Sequence, residues 1–425
     1  MKCRSKNNSL ILIAMLVLLL TGCAGKENEV TEVTLMHGWG GTLETHKIMQ
    51  EIYDDFAKEN PDIILNCVSY SDSSIAVERA NDMLAVGKMP DIISTNGLSY
   101  FVQHSVERGM ALDLMTYIEK DEELGKMIHP SVYTTWETSG HHLYTVPDAL
   151  EVAGFWYNRK YMEQAGLTNA AGEVREPEDW NEFLEMMDTM KQWTQTQKNI
   201  SVCSLENLQM TEFLFPARLA AEGDMGWNMA TSASFHGDGS TLLQVMTDLD
   251  RIEKLSKKVD NIESARQDFM DGKSILYFNG IWESNALVDN GADFGYGVYP
   301  FDENNKLAYV SASSGYVFAK QENAQKEEAC IRFLKYMLST EVQQELAVKT
   351  GQMPSNPNVS LDKVEEQNAI LADAIDKVYS ADKQIKMIRS VWSENKMTVL
   401  EKYVKKDEYN QENIAAMARQ LESAE

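Results

Sequence analysis

The alternation of short apolar runs between Glu32 and Ile93 constrains the fold more than any other stretch of this chain. Val33 and Leu35 fall on one side of the run Glu32 to Met36, the period-two pattern of a strand. Ile48, Ile52 and Phe56 share one face of a helix predicted over Glu44 to Glu59, which Asn60-Pro61 stops. Ile63 to Val68 reads as a second strand and Ile75 to Val86 as a second helix. Gly87-Lys88-Met89-Pro90 breaks that helix, and Asp91-Ile92-Ile93 begins a third strand. Parallel strands need crossovers, and the crossover helices must cover the sheet, so this order dictates an α/β fold. Ligands of such sheets bind beyond the carboxyl ends of the strands. Trp39, within His37-Gly38-Trp39-Gly40-Gly41, and Asn96 each follow a predicted strand and are candidates for that edge.

With 425 residues, more than one core is expected, and two domains are the prior. The chain changes character at Tyr144 to Asn158, YTVPDALEVAGFWYN, where a β-rich run leads into new helices. Glu151 is the one ionisable group in the apolar part of that run. It is either an ion-pair partner, of Arg159 for example, or a group that holds something polar. Further on, Phe183, Met186, Met187, Met190 and Trp193 share a helical face and read as core. Asp224 to Ser240 reads as loop, and Leu361 to Glu425 as almost entirely helical with acidic outer faces.

The N-terminus is a targeting segment. Lys2, Arg4 and Lys6 precede an apolar run, Leu10 to Leu20, that is short for a membrane span. Leu20-Thr21-Gly22-Cys23 resembles a bacterial lipobox, so Cys23 is expected to be lipidated after residues 1–22 are removed, with 23–30 as a polar tether. A formal net charge of −26 argues against a nucleic-acid partner and favours a neutral or cationic ligand. Cys67, Cys203 and Cys330 are too few and too scattered for a disulfide framework or a zinc site; Cys67 and Cys330 sit at apolar positions and are expected to be buried thiols.

Catalytic signatures are missing. His37-Gly38-Trp39-Gly40-Gly41 is reminiscent of an esterase oxyanion loop, but no G-x-S-x-G accompanies it. Gly272-Lys273-Ser274 ends like a phosphate loop, yet Gln267 stands where its first glycine is needed. His141 and His142 are adjacent rather than one turn apart, so no metal and no cofactor is expected.

Several motifs occur together and in order. They are the lipobox, Pro90-Asp91-Ile92-Ile93, Gly109 to Leu114, Tyr144-Thr145-Val146-Pro147, Tyr157-Asn158, Gly166-Leu167, Phe269 to Gly272, Asn279-Gly280-Ile281-Trp282 and Gly351-Gln352-Met353-Pro354. In this order the chain resembles the family-1 extracellular solute-binding proteins of ABC importers, the group of maltose-binding-protein-like sugar-binding lipoproteins. The resemblance implies the two-lobed periplasmic-binding-protein fold of class II type, with a ligand cleft between lobes joined by hinge crossovers. It implies lobe 1 from 31–149 plus 313–357 and lobe 2 from 150–312 plus 358–425. It also implies a non-enzymatic, monomeric subunit, lipid-anchored outside the cytoplasm, that hands a sugar or oligosaccharide to membrane permease subunits. Glu151 then corresponds to an acid that bonds sugar hydroxyls, and Trp282 to an aromatic that stacks on a sugar face. Trp392 matches a second cleft tryptophan; Trp39, Asn96, Ser314 and Tyr316 complete the implied contacts. A polyamine or polyol phosphate ligand, or a secreted enzyme acting on polysaccharide, are the competing readings.

Overall fold

The structure is a computed structural model that describes residues 30–424, apart from 97, 98, 139, 236, 238, 303, 304 and 406–408. Cys23 and the segment 1–29 therefore lie outside the described residues, as do the side chains of Asn96 and Ser314. Twelve strands are present among the described residues: β1 Thr31–His37, β2 Ile63–Ser69, β3 Ile92–Asn96, β4 Thr145–Asn158, β5 Ser201–Leu205, β6 Lys257–Lys258, β7 Ser274–Gly280, β8 Phe294–Gly297, β9 Tyr299–Pro300, β10 Lys306–Phe318, β11 Met353–Pro354 and β12 Lys383–Ile385. They follow the path β2-β1-β3-β10-β4-β7-β5-β6, with β11 and β8 added to β4, and β12 and β9 to β10.

The predicted opening is observed. β1 runs parallel to β2 and to β3, and the helices Glu44–Glu59 and Ser73–Ala85 connect them. Asp91 explains the Pro90-Asp91-Ile92-Ile93 motif. Its Oδ2 accepts from the Thr34 N–H at 2.8 Å and from Lys326 Nζ at 2.9 Å, and its Oδ1 from Gln321 Nε2 at 3.0 Å. One mostly buried carboxylate thus joins β1 to the segment that returns after β10. Charge-assisted bonds of this kind are the stronger class.

Two strands are longer than the rest and run through the whole sheet. The start of β4 pairs with the end of β10 and with β11, whereas Ala153 to Asn158 pair with β7 and β8. The start of β10 pairs with β9 and β12, whereas Ser314 to Phe318 pair with β3. The β4–β10 register slips between Ser311 and Ser314 and again between Ser314 and Tyr316. Such irregularities bend a strand and raise its twist. They fall between the β1–β3 end of the sheet and the β5–β8 end.

Two of the apolar cores lie on either side of this sheet. One gathers Leu35, Ile52, Phe56 and Phe333 and extends through Val152, Val310 and Trp156 to Leu371 and Ile375. The other packs the methionine face of helix Trp180–Thr194 against the helices Gly239–Leu255, Glu394–Val404 and Gln411–Ser423. Asp179 caps the first of these helices by accepting from the Glu182 N–H.

Three expectations change. Cys67 is exposed, because β2 is an edge strand paired only with β1 and its outer residues face solvent; Cys203 and Cys330 are buried. Gly223–Thr231, expected as loop, is a helix whose Met229 and Ala230 reach the second core. The C-terminal stretch, expected as helical, also supplies β12.

Gln343 is fully buried where the chain passes the sheet centre. Its Nε2 donates to the Asp148 carbonyl of β4 at 2.6 Å and to Met337, and its Oε1 accepts from the N–H groups of Ser355 and Asn356. Leucine has the volume but none of these bonds, leaving buried backbone groups unsatisfied. Gln343→Leu is expected to lose about 2–4 kcal/mol in urea denaturation.

Candidate functional site

The loop after β1 is built to display Trp39. His37 is buried; its Nδ1 accepts from the Trp39 N–H at 3.1 Å, so its Nε2 carries the proton toward Ser69 Oγ at 3.0 Å. His46 Nδ1 accepts from the Gly41 N–H at 2.9 Å, and its ring meets the Trp39 indole edge-on, centroids 5.5 Å apart. Gln50 Nε2 donates to the Trp39 carbonyl. Gly38 is required by closeness: a Cβ there would lie 2.2 Å from the Ser73 nitrogen. Trp39 itself is half-buried, and its Nε1 bonds to no protein group among the described residues.

At the other end of the sheet, β7 leads into the 3₁₀ turn Ile281–Glu283, which carries Trp282. The half-buried indole lies flat on Gly280, where a Cβ would come within 2.0 Å of Cζ3, and its ring centroid is 6.5 Å from that of Phe213. The turn is pinned from behind. Glu283 Oε2 accepts from Arg266 Nε at 2.6 Å, and Oε1 from Asn279 Nδ2 at 2.9 Å; Asn279 Oδ1 accepts from the Gly280 N–H at 2.8 Å. This buried network explains the Asn279-Gly280-Ile281-Trp282 motif and holds the indole in one pose.

Glu151 lies between these two features, two residues before Ala153, which pairs with Gly280. It is the one half-buried position in an otherwise buried β4 and pairs with Ser311, where the β10 register first slips. Arg159, offered as one ion-pair partner for it, pairs with Asp293 and Asp373. Asn96 and Ser314 are opposite one another in the β3–β10 ladder, beside the same irregularity.

Two candidates move into the core. Trp392 is 3% exposed; Phe215 and Phe235 enclose its ring edge-on, and its Nε1 donates to the Met229 carbonyl at 2.9 Å. Both its apolar face and its one donor are consumed by packing. Tyr316 is fully buried, with its hydroxyl 3.1 Å from that of Tyr53 and its ring against Phe333.

Other residues at the site escaped the sequence reading. Trp136 ends the helix Pro130–Trp136, and its ring reaches Gly315, where a Cβ would be 3.2 Å from Cη2. Glu212 sits on the π-helical turn Gln209–Leu214. It is ion-paired with Arg389, and burial pushes its carboxyl up to about 7 against the pull of Arg389. A π turn in mid-helix has no apolar signature of its own in the sequence. Among the described residues no group of three His, Cys, Asp or Glu could hold a metal ion.

Two measurements check this geometry. Gly280→Ala is expected to cost about 1–3 kcal/mol by overlap with the indole. In a double-mutant cycle, Trp282→Ala relieves that overlap, so the double variant should be more stable than the sum of the singles predicts. His37 is held neutral by burial and by His46, its pKa lowered from 6.5 to about 4. Between those values the unfolded chain binds a proton that the folded one does not. Stability from this group is therefore complete above pH 6.5 and lost as pH falls toward 4, by about 3 kcal/mol. His37→Gln should lack that part of the pH dependence.

Residues 51–373 match the family model described as bacterial extracellular solute-binding protein. The multiple sugar-binding protein of Streptococcus mutans is 19% identical over 364 residues, 81% of each chain. A maltooligosaccharide ABC transporter solute-binding lipoprotein of Streptococcus pneumoniae is 25% identical over 147 residues, 33% of this chain and 34% of that one. Among solved structures, a Streptococcus pneumoniae solute-binding protein in complex with the blood group A-trisaccharide has a TM-score of 0.72 at 22% identity, covering 92% of this chain and 100% of the other. The cyclic alpha-maltosyl-1,6-maltose binding protein from Arthrobacter globiformis has a TM-score of 0.71 at 16% identity, covering 93% and 98%. Likenesses at these identities show the fold, two α/β lobes joined by hinge crossovers with a cleft between them. The chain belongs to the bacterial extracellular solute-binding protein family.

Proposed function

We propose that this protein is the substrate-binding subunit of an ABC importer, and that it captures a sugar or oligosaccharide between its two lobes. The observation that carries this reading is the Trp282 indole, laid flat on Gly280 and pinned by Glu283, beside the acceptor Glu151. A flat indole matches the apolar C–H face of a sugar ring, and a carboxylate can accept two hydroxyl donors at once. Trp39, with its unbonded indole N–H, and Asn96 and Ser314 on the hinge strands would complete the contacts. Sugar ligands in the names of the relatives and structural neighbours support the same class.

The lobes divide at residues 149/150, 312/313 and 357/358. Support comes from β4 and β10, each of which pairs with strands at both ends of the sheet. The protein binds, closes and releases, with no chemical step. Domain closure about these strands is the motion expected of such a hinge. Outside the cytoplasm, a lipid on Cys23 would tether the monomer near its permease. No helix among the described residues is long and apolar enough to cross a membrane.

A thermal-shift panel of maltotriose, raffinose and chitotriose, with spermidine and glycerol 3-phosphate as controls, tests the reading. A ligand at a hundred times its Kd should add about 2.7 kcal/mol, raising Tm by roughly 5–10 °C. Trp282→Ala and Glu151→Gln should each weaken the response. A shift with spermidine or glycerol 3-phosphate alone would discard the sugar.

A further inference from the structure

Arg389 stands three residues before Trp392, on the 3₁₀ turn Ile388–Ser390 that follows β12. Unlike Trp392, its side chain is 54% exposed. Two acids hold it from different elements: Glu212, on the π turn, meets Nε, and Glu401, on the helix Glu394–Val404, lies 3.5 Å from Nη2. A guanidinium is a planar fork, so fixing two of its nitrogens fixes the direction of the rest.

The surroundings tie this cation to the proposed cleft. Glu212 feels the charge of Glu151 as well as those of Arg389 and Glu401. Its neighbour Phe213 meets the Trp282 ring, and the Phe213 carbonyl accepts from the Tyr309 hydroxyl at 2.8 Å. The π turn therefore brings the brace of Arg389, the hinge acid and the stacking indole into one neighbourhood. Glu212 itself is too buried, its side chain 5% exposed, to meet a ligand directly.

We propose that Arg389 is a ligand-contacting residue of the cleft, the N–H groups of its half-exposed guanidinium donating to ligand hydroxyl oxygens while Glu212 acts as the positioning residue that aims it. The assignment rests on the sugar-binding reading and deepens it: Glu151 accepts, Trp282 stacks and Arg389 donates. Such a set suits a polyhydroxylated ligand, whose hydroxyls need both acceptors and donors. It also makes binding depend on pH. The groups facing Glu212 are Arg389, Glu401, Glu151 and the Tyr309 hydroxyl. Burial places the Glu212 carboxyl at about 7, so acidification protonates it and releases Arg389.

The test is calorimetric titration of the full mature chain, from pH 6 to 8.5, with whichever panel member stabilises the wild type most. Affinity of the wild type should rise as pH passes through 7. Arg389→Ala should bind at least tenfold more weakly at pH 8. Glu212→Gln should bind more weakly and lose the pH dependence; a merely structural Glu212 would move Tm and leave the profile in place. Should Glu212→Gln fail to fold, Arg389→Lys serves instead, with partial recovery over Arg389→Ala expected. Arg389→Ala binding within twofold of wild type at every pH would overturn the proposal. If spermidine replaces the saccharides as ligand, the sugar reading falls, and an Arg389→Ala variant that binds it more tightly overturns the donor role too. No response of the wild type to any member of the panel overturns both.

Discussion

The antiparallel pairing of β4 with β10 is the constraint on which the molecule turns. Each strand supplies one end of the sheet with its first half and the other end with its second. Backbone bonds therefore run without a break between the two lobes, while the register slips at Ser311 and Ser314 interrupt the ladder midway. A ladder resists shear but tolerates bending where a residue is left out of register. The two ends of the sheet are thus joined by strands that bend between them. Gln343 adds a third tie by bonding β4 to the segment after β11.

The residues offered to a ligand are held by others that a ligand would not touch. His37, His46 and Gln50 each bond to backbone in the loop of Trp39. Asn279 does the same for the turn of Trp282, and Glu283, itself paired with Arg266, holds Asn279. In both places a glycine lets another group approach more closely than a Cβ would permit. An aromatic on a fixed loop loses little freedom when it binds, which favours affinity without added contacts. The glycine-rich loop after β1, which the sequence likens to an oxyanion loop, is accounted for by this packing.

Legibility varied with the range of the signal. Helices and strands of the opening follow from period-two and period-3.6 patterns, which depend on near neighbours alone. Trp39, Glu151 and Trp282, which the proposed site uses, each follow or interrupt a strand in a way the sequence displays. Trp392 and Tyr316 resemble them as lone aromatics near the right elements, yet Phe215, Phe235, Tyr53 and Phe333 come from distant segments and enclose them. Arg389 and Glu212 are 177 positions apart in number, and no local pattern links them.

What the sequence determined by itself was the α/β class, the strand–helix order of the opening, and the break in character at Tyr144 to Asn158. Each of these is written in local periodicity, turn residues and the order of elements. Tertiary structure alone decided which aromatic side chains are enclosed in a core, as Trp392 and Tyr316 are, and which stay half-buried, as Trp39 and Trp282 do. A tryptophan or tyrosine buries the same surface in either place, and only the residues that arrive from elsewhere in the chain determine which one it occupies.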